Sequence, residues 1–190
     1  MLLYQINNNK MEEIKEKPFK KEIELHKLCE NNLENIFGLK FVKREFNFNN
    51  FRLDTLAFDE SNKSFVIIEY KKTSNFSVID QGYAYLSLML NNKAEFILEY
   101  NESCKESLKR EDVDWSQSKV IFVSPTFNNY QKESINFKDL PFELWEVKRF
   151  SNDTISFNNI KPSKTSESIN TIATTSEQIK TVNKEVVVYT

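Results

Sequence analysis

An acid and a lysine lie close together at the end of one predicted strand. Glu69 and Lys71 are two residues apart in the segment FVIIEYK, and strand residues two apart project to the same face. A symmetric turn about Ser61 and Asn62 would pair residues whose numbers sum to 123, which sets Asp54 opposite Glu69 with Cβ atoms about 5 Å apart. A slip of one residue would instead send Asp54 to the other face. In the symmetric register, two carboxylates and one amine meet at a point where they could carry out acid–base or metal chemistry.

A helix is predicted directly after this hairpin, over Val78–Leu90. Gln81 and Tyr85 are four residues apart, so they lie one above the other on one helical face. Gly82 between them costs helix stability, about 1 kcal/mol relative to Ala, which indicates close approach of another element at this point. N-cap chemistry for this helix is expected from the polar break at positions 73–75.

An earlier helix supplies a further acid. Phe19–Phe37 has apolar residues at spacings of three and four, and Gly38 is placed as its C-terminal cap. On a helical wheel Glu22 lies near the centre of the apolar stripe, whereas three other acids of this segment point away from it, namely Glu24, Glu30 and Glu34. Glu22 is therefore the acid that we expect to face inward.

The remaining elements indicate an α/β fold with a mixed central sheet flanked by helices. Strands are predicted at Lys40–Phe48, Phe51–Asp59, Phe65–Lys72, Ala94–Tyr100 and Lys119–Val123, short helices at Cys104–Arg110 and Phe127–Ile135, and a terminal hairpin at Phe142–Phe150 and Thr154–Phe157. We divide the chain into an N-terminal extension (1–18), one domain (19–160), a Ser/Thr-rich linker or tail (161–185) and a possible start of a further strand or domain (186–190).

Composition excludes several classes of protein. Gly occurs only twice, which excludes Gly-rich phosphate loops, and the apolar runs are shorter than the roughly 18 residues of a membrane helix. Without a signal peptide, we expect a cytoplasmic location with no membrane contact, and Cys29 and Cys104 as free thiols. One His and no CxxC spacing argue against zinc. The formal net charge of −2 argues against a generic polyanion binder.

Three motifs together resemble a known superfamily. They are Arg52-Leu-Asp54, Glu69-Tyr-Lys71 and Gln81-Gly-Tyr-Ala-Tyr85. The pattern RxD, ExK and QxxxY resembles the PD-(D/E)XK nuclease superfamily, and most closely the prokaryotic subgroup of NucS-like endonucleases and of nuclease domains found ahead of a second domain of unknown function. In that subgroup a helical Glu precedes the Asp, and Glu22-Ile-Glu-Leu25 with Asn32-Leu33 fits. The resemblance covers roughly residues 19–100, with Leu53 in place of the Pro that gives the superfamily its name.

The resemblance implies a restriction-endonuclease-like core in αβββαβ order and hydrolysis of phosphodiester bonds in DNA. Mg²⁺ or Mn²⁺ would be held by Asp54, Glu69, the carbonyl of Tyr70 and Glu22, since Mg²⁺ prefers oxygen ligands. Lys71 would orient or deprotonate water, and Gln81 and Tyr85 would hydrogen-bond the site or the substrate. The same resemblance implies nucleic-acid contacts from Arg52, Lys72, Gln81, Tyr85, Lys43 and Arg44.

Other readings of these residues remain open. The partner is expected to be DNA rather than RNA, and we consider a homodimer as the assembly. The alternative function is a catalytically inactive nucleic-acid-binding module of the same fold. The acids and the lysine could also form an ordinary surface ion-pair cluster, and a protein-interaction scaffold is a third class without a positive signal.

Overall fold

The fold contains one large sheet and one small one. The structure is a computed structural model that describes residues 2–73 and 77–173. Its strands are β1 (Tyr4–Asn7), β2 (Lys10–Glu13), β3 (Lys40–Phe48), β4 (Phe51–Asp59), β5 (Ser64–Tyr70), β6 (Lys119–Ser124), β7 (Phe142–Arg149) and β8 (Ile155–Ile160). Its helices are α1 (Glu22–Glu30), α2 (Leu33–Phe37), α3 (Val78–Asn91), α4 (Lys93–Cys104), α5 (Asn129–Ser134) and α6 (Asn170–Ala173).

The large sheet has six strands in the spatial order β3-β4-β5-β6-β7-β8. The pairs β3–β4, β4–β5 and β7–β8 are antiparallel, whereas β5–β6 and β6–β7 are parallel. Parallel neighbours need a crossover connection, and the helices after β5 and β6 provide it. The predicted α/β class, mixed sheet with flanking helices, and αβββαβ order are confirmed.

The sheet separates two apolar cores. Phe65 and Ile67 of β5 pack in the core on the side of α3 and α4, whereas Val66, Ile68 and Tyr70 pack on the side of α1 and α2. Alternate residues of a strand point to opposite faces, so Glu69 shares its face with Ile67. The predicted division of β5 into two faces is confirmed.

The β4–β5 hairpin has the predicted register. Its Cα partners run from Thr55↔Ile68 to the turn, and in every pair the residue numbers sum to 123. The Asp59 carboxylate accepts hydrogen bonds from the main-chain N–H groups of Ser61 and Asn62, both at 3.0 Å. Because these bonds satisfy the turn locally, the hairpin closes symmetrically and fixes the register of the strands that follow.

The long helix expected over Phe19–Phe37 is two helices. α1 ends at Glu30 and α2 begins at Leu33, so the apolar positions do not lie on one continuous helical face. The Asn32 side chain donates a hydrogen bond to the Leu28 carbonyl at 2.8 Å, which occupies a main-chain acceptor at the break. Gly38 ends α2 with φ +68°, as predicted for a C-terminal glycine.

The strand predicted at Ala94–Tyr100 is wrong, because this segment belongs to α4. Phe96 and Tyr100 are buried and four residues apart, so both fall on the inner face of a helix. The helix predicted at Cys104–Arg110 is also wrong, since α4 ends at Cys104 and is followed by short 3₁₀ turns at Arg110–Asp112 and Trp115–Gln117. The predictions for β3, β4, α3, β6, α5 and the terminal hairpin are confirmed to within a few residues.

Gly82 marks a close approach between α3 and β7. A Cβ atom at this position would lie 2.7 Å from Cε1 of the Phe142 ring. No ordinary carbon–carbon contact is this short, so the helix reaches its position on the sheet only with glycine here. The close approach inferred from the sequence is confirmed.

Several boundaries differ from expectation or lie outside the described residues. The N-cap of α3 is Ser77, whose hydroxyl accepts from the Asp80 N–H at 3.3 Å, and positions 74–76 are not described.

Residues 4–13 form the unpredicted β1–β2 hairpin, whose residues are all exposed. The Ile169 N–H donates to the Asp139 carboxylate at 2.8 Å, so part of segment 161–173 contacts the loop after α5. Segment 174–190, with the predicted strand start, lies outside the described residues, and the domain division remains a prediction.

Both cysteines are free thiols, Cys29 buried and Cys104 partly buried. None of the helices in the described part of the chain is long and apolar enough to cross a bilayer.

Candidate active site

Glu69 is the centre of a hydrogen-bonded cluster between β5 and α3. Its side chain is buried, and Oε1 accepts from Lys71 Nζ at 2.5 Å and from Gln81 Nε2 at 2.8 Å. The second oxygen, Oε2, accepts from the Tyr85 hydroxyl at 3.1 Å. Gln81 Nε2 also lies 2.8 Å from the Tyr85 oxygen, so the two helix residues form one support. The structure therefore brings together Glu69, Lys71, Gln81 and Tyr85.

Asp54 reaches the same end of the hairpin from β4. Its Oδ2 accepts a hydrogen bond from the Tyr70 main-chain N–H at 3.0 Å. The Cα pairing of β4 with β5 ends at Thr55↔Ile68, one position before Asp54 and Glu69, so the pair falls just beyond the ladder on the predicted register. Beyond the end of the ladder, the Tyr70 N–H donates to the Asp54 side chain, and this bond holds the Asp54 carboxylate at the end of β5.

Burial and a neighbouring carboxylate disfavour the charged form of each of the two acids. Burial is the main cause that raises the pKa of Asp54, and the nearby charge of Glu22 raises it further. Burial also raises the pKa of Glu69, followed by the charge of Asp54, while the bond from Lys71 lowers it in part. Negative charge at this site is therefore only partly compensated by the protein's own groups.

Tyr85 donates to this cluster as a neutral phenol. Burial, followed by the charge of Glu69, raises its pKa above the usual range of tyrosine. Its hydroxyl therefore keeps its proton and donates a hydrogen bond to Glu69. The Phe51 ring lies edge-on to the Tyr85 ring, 6.3 Å between centroids.

Glu22 lies at the margin of the site. It shares the face of α1 with buried Leu25 and His26, three and four residues further on, but its own side chain is exposed because it stands in the first turn. Its Oε2 accepts from the Lys72 main-chain N–H at 2.9 Å, directly after β5. The expectation that Glu22 faces inward is therefore wrong: it faces the end of the sheet rather than the core, and its place in a metal shell remains a prediction.

Three of the cations predicted to contact nucleic acid are paired with acids. Lys43 Nζ lies 2.9 Å from Glu99 Oε1. Arg52 pairs with Glu45, and Arg44 pairs with Glu30. The fourth cation, Lys72, donates from Nζ to the Lys20 carbonyl at 2.7 Å. Contact of these residues with nucleic acid remains a prediction.

Sequence reasoning missed a buried polar network on the other face of β4. Glu30 was expected to point away from the core, which is wrong: its side chain is only 2% exposed. Its Oε1 accepts from the Thr55 hydroxyl at 2.7 Å and lies 3.2 Å from His26 Nε2, while Oε2 pairs with Arg44. The error follows from treating α1 and α2 as one helix, which displaced the centre of the apolar stripe.

The network touches the site through the main chain. His26 Nε2 lies 3.3 Å from the Asp54 carbonyl oxygen, and the His26 ring packs on the Tyr70 ring with 4.4 Å between centroids. The spacing of His26 and Glu30, four apart, was the available signal for this pair. Because His26 contacts both the Asp54 carbonyl and the Tyr70 ring, the network supports β4 and β5 on the face of the sheet opposite Glu69.

The donor set suits a hard cation. Asp54 and Glu69 offer carboxylate oxygens, and Mg²⁺ is commonly held by one or two carboxylates together with water and phosphate. A divalent cation beside the acids would stabilise their charged forms, which burial and neighbouring carboxylates disfavour. Among residues 2–73 and 77–173, no group of three or more His, Cys, Asp or Glu side chains is arranged to hold a metal ion.

Comparison with known proteins gives one relative by sequence. No protein-family model matches the chain. The chain is 49% identical over 189 residues to an uncharacterized protein of Haemophilus influenzae. The match covers 100% of this chain but 63% of that protein, so the chain spans less than two thirds of the relative's length.

Solved structures show only distant likeness. A repair endonuclease from Pyrococcus abyssi has a TM-score of 0.38 at 20% identity, covering 70% of this chain and 50% of that chain. A complex of EndoMS with double-stranded DNA has a TM-score of 0.38 at 15% identity, covering 77% and 64%. SfsA of Pyrococcus furiosus in complex with Ca²⁺ has a TM-score of 0.37 at 12% identity, covering 80% and 78%. TM-scores and identities this low support no conclusion about the activity of this chain.

Proposed function

We propose that this chain is a metal-dependent nuclease of the PD-(D/E)XK type, which hydrolyses phosphodiester bonds in DNA. The observation that carries the proposal is the convergence on Glu69 of Lys71 from the same strand and of Gln81 and Tyr85 from α3. A surface ion-pair cluster does not need a buried acid with three side-chain donors. The arrangement instead supports a site whose acid is held in one orientation.

Asp54 and Glu69 would hold Mg²⁺ or Mn²⁺, with the Tyr70 carbonyl and Glu22 as further ligands. When bound, the ion supplies charge stabilisation for the phosphate and lowers the pKa of a bound water. The Tyr70 N–H holds Asp54 by its Oδ2, so the strand backbone fixes the position of this ligand. Gln81 and Tyr85 hold Glu69, so neither acid has to be ordered when substrate binds.

Lys71 is the residue placed to act on the attacking water. Its ammonium group lies beside Glu69 and is partly exposed, so it faces both the acid and the solvent. In this position it would hold the negative charge that grows on the phosphate, or, after losing its own proton to bulk water, accept a proton from the attacking water. The attacking oxygen would form the new bond to phosphorus while the bond to the leaving sugar oxygen breaks, and that oxygen would take a proton from solvent.

Cleavage of DNA by the purified chain tests the proposal. Single-stranded, duplex and branched DNA are incubated with Mg²⁺ or Mn²⁺, and we expect nicking that EDTA abolishes. Asp54→Asn and Lys71→Met should each lower the rate about 100-fold or more. Asp153→Asn is the matched control, because Asp153 is 87% exposed and its only ion pair in the described residues is the 3.7 Å contact with Lys17.

The outcomes separate nuclease from binding module. Binding of DNA without cleavage in either metal would favour the inactive nucleic-acid-binding alternative. Equal rates for the wild type and for both site variants would mean that another site, or a contaminating enzyme, cuts the DNA.

A further inference from the structure

Positive charge near the site is distributed differently from expectation. Each of Lys43, Arg44 and Arg52 is paired with a carboxylate. Such a pair carries no net charge, so it attracts a phosphate group less strongly than a lysine without a carboxylate partner does. A DNA strand with one charge per phosphate would therefore be drawn to another part of the surface.

Three exposed lysines lie just before α1 and just after β5, namely Lys20, Lys21 and Lys72. We call these three residues the lysine lip. Within residues 2–73 and 77–173, none of the three has a carboxylate within ion-pair distance of its ammonium group. Lys72 and Lys20 are neighbours in space, since Lys72 Nζ lies 2.7 Å from the Lys20 carbonyl oxygen, and Lys21 follows Lys20 in the chain.

The lip is continuous with the proposed catalytic residues. Lys72 follows Lys71 in the chain, and its main-chain N–H is held by Glu22 Oε2 at 2.9 Å. Lys21 occupies the N-cap position of α1, directly before Glu22. A phosphate backbone on the lip would therefore lie beside Glu22 and the end of β5, next to the segment that carries Lys71.

Two acids at this surface do not cancel its charge. Glu22 faces the main-chain N–H of Lys72, and it is one of the residues proposed to face the metal. Glu24 Oε2 lies 3.9 Å from Arg149 Nη2 and 3.3 Å from the Lys20 main-chain nitrogen. Because Arg149 balances Glu24, the three lip ammonium groups leave a net positive surface.

We propose that the lysine lip binds the phosphate backbone of DNA beside the cleaved bond. The inference rests on the proposed nuclease function and assigns the substrate's path across the molecule. Lysines act on phosphates as point charges and carry no base information, so the lip would set affinity and register rather than sequence preference. In a chain with net charge −2, a local positive surface is also what guides a polyanion to the site.

The salt dependence of binding tests this path. We would measure binding of a short fluorescein-labelled duplex by anisotropy, over a series of NaCl concentrations and with EDTA present to prevent cleavage. Each phosphate contact contributes about −0.9 to the slope of log K against log salt. The triple variant Lys20→Gln, Lys21→Gln, Lys72→Gln should therefore reduce the magnitude of the slope by about 2 to 3.

A control triple removes the same charge elsewhere: Lys109→Gln, Lys138→Gln, Lys164→Gln, all exposed and without an ion pair among the described residues. We expect the slope of this control to stay within about 0.5 of the wild type. Replacement of the lip by arginines should restore the slope, and it covers the case in which the Gln triple does not fold.

Cleavage of the same duplex in Mg²⁺ separates the two proposals. A wild type that cuts DNA, together with a lip triple of unchanged slope, would overturn the inference and leave the nuclease in place. Equal loss of slope in both triples would also overturn it. Binding through the lip without any cleavage would support the inference and contradict the catalysis, whereas a wild type that neither binds nor cuts would contradict both.

Discussion

Gln81 of helix α3 donates a hydrogen bond to Glu69 of strand β5, with 2.8 Å between Gln81 Nε2 and Glu69 Oε1. The same nitrogen lies 2.8 Å from the Tyr85 hydroxyl oxygen, which itself donates to the other carboxylate oxygen. Helix and strand are therefore joined at the acid, and the orientation of this acid depends on the packing of α3.

Removal of the Gln81 amide should lower activity more than stability. Gln81→Ala leaves Glu69 with Lys71 and Tyr85, and we expect a rate of DNA cleavage about 10- to 100-fold lower, as for other groups that orient a metal ligand. The melting temperature should change by no more than in Ser87→Ala, a substitution on the exposed side of the same helix. A Gln81→Ala enzyme with the wild-type rate would show that the bond has no catalytic role.

Neutralisation of Asp54 should stabilise the metal-free protein. Its pKa is raised in the fold, so the ionised form opposes folding, and the stability linked to this group is present at low pH and lost as the pH rises through the folded pKa. Asp54→Asn removes the charge, and its amide oxygen can still accept from the Tyr70 N–H. At pH 7 with EDTA we expect a higher melting temperature, by about 2–4 °C for each kcal/mol gained.

Mg²⁺ or Mn²⁺ should reduce or reverse this difference in melting temperature between the wild type and Asp54→Asn. The ion should raise the melting temperature of the wild type, because it binds the folded state, and should have little effect on Asp54→Asn. Calorimetric or fluorescence melting curves with EDTA and with metal give this comparison without any measurement of cleavage. A metal-induced rise of the same size in both proteins would place the ion at another site.

Loss of the buried Glu30 charge should weaken the fold. Glu30→Gln removes the negative charge that pairs with Arg44 and lies beside His26, and because Arg44 itself is 40% exposed we expect a loss of about 1–3 kcal/mol. Bonds from His26, Arg44 and Thr55 lower the pKa of Glu30 to about 2 against the opposing effect of burial. Its contribution to the free energy of unfolding is therefore present above about pH 4.5 and lost as the pH falls toward 2.

Urea unfolding between pH 7 and pH 3 measures this effect. The difference between wild type and Glu30→Gln should be nearly constant above pH 5 and smaller in more acid solution. Glu34→Gln, at an exposed position of α2, serves as the control and should follow the wild type. A constant difference at every pH would show that lost packing, and not the Glu30 charge, accounts for the change.

A methyl group at position 82 should separate α3 from β7. Gly82→Ala sets Cβ within 3 Å of the Phe142 ring, and overpacking of this kind costs about 1–3 kcal/mol. The substitution also favours helix formation by about 1 kcal/mol. The cost of the contact with Phe142 is therefore the measured loss of stability plus this gain. The double variant Gly82→Ala, Phe142→Leu should recover part of the stability, whereas additive effects would mean that Phe142 is not the obstacle.

The local pattern of the sequence was sufficient for much of the site. Strands β3 and β4 have the bounds that were predicted, and the hairpin register follows from a turn that Asp59 completes by its own side chain. Period-two alternation then determines that Glu69 and Lys71 share a face, and helical spacing determines that Gln81 and Tyr85 do. These relations depend on residues close in the chain, so sequence reasoning could reach them.

Tertiary structure decided what depends on contacts between distant segments. Glu30 is buried because β3 brings Arg44 to it and β4 brings Thr55, which a helical wheel cannot show. The segment at Ala94–Tyr100 is a helix because its aromatic side chains pack against the sheet from one helical face, and tertiary packing outweighs strand propensity. The sequence by itself thus determined that Glu69 and Lys71 share a strand face and that Gln81 and Tyr85 share a helix face, because their spacing is local, whereas the packing of α3 on the sheet joins the two pairs. Only the tertiary structure determined which lysines and arginines are paired with acids and which three remain at the edge of the site, because that depends on charges brought together from distant parts of the chain.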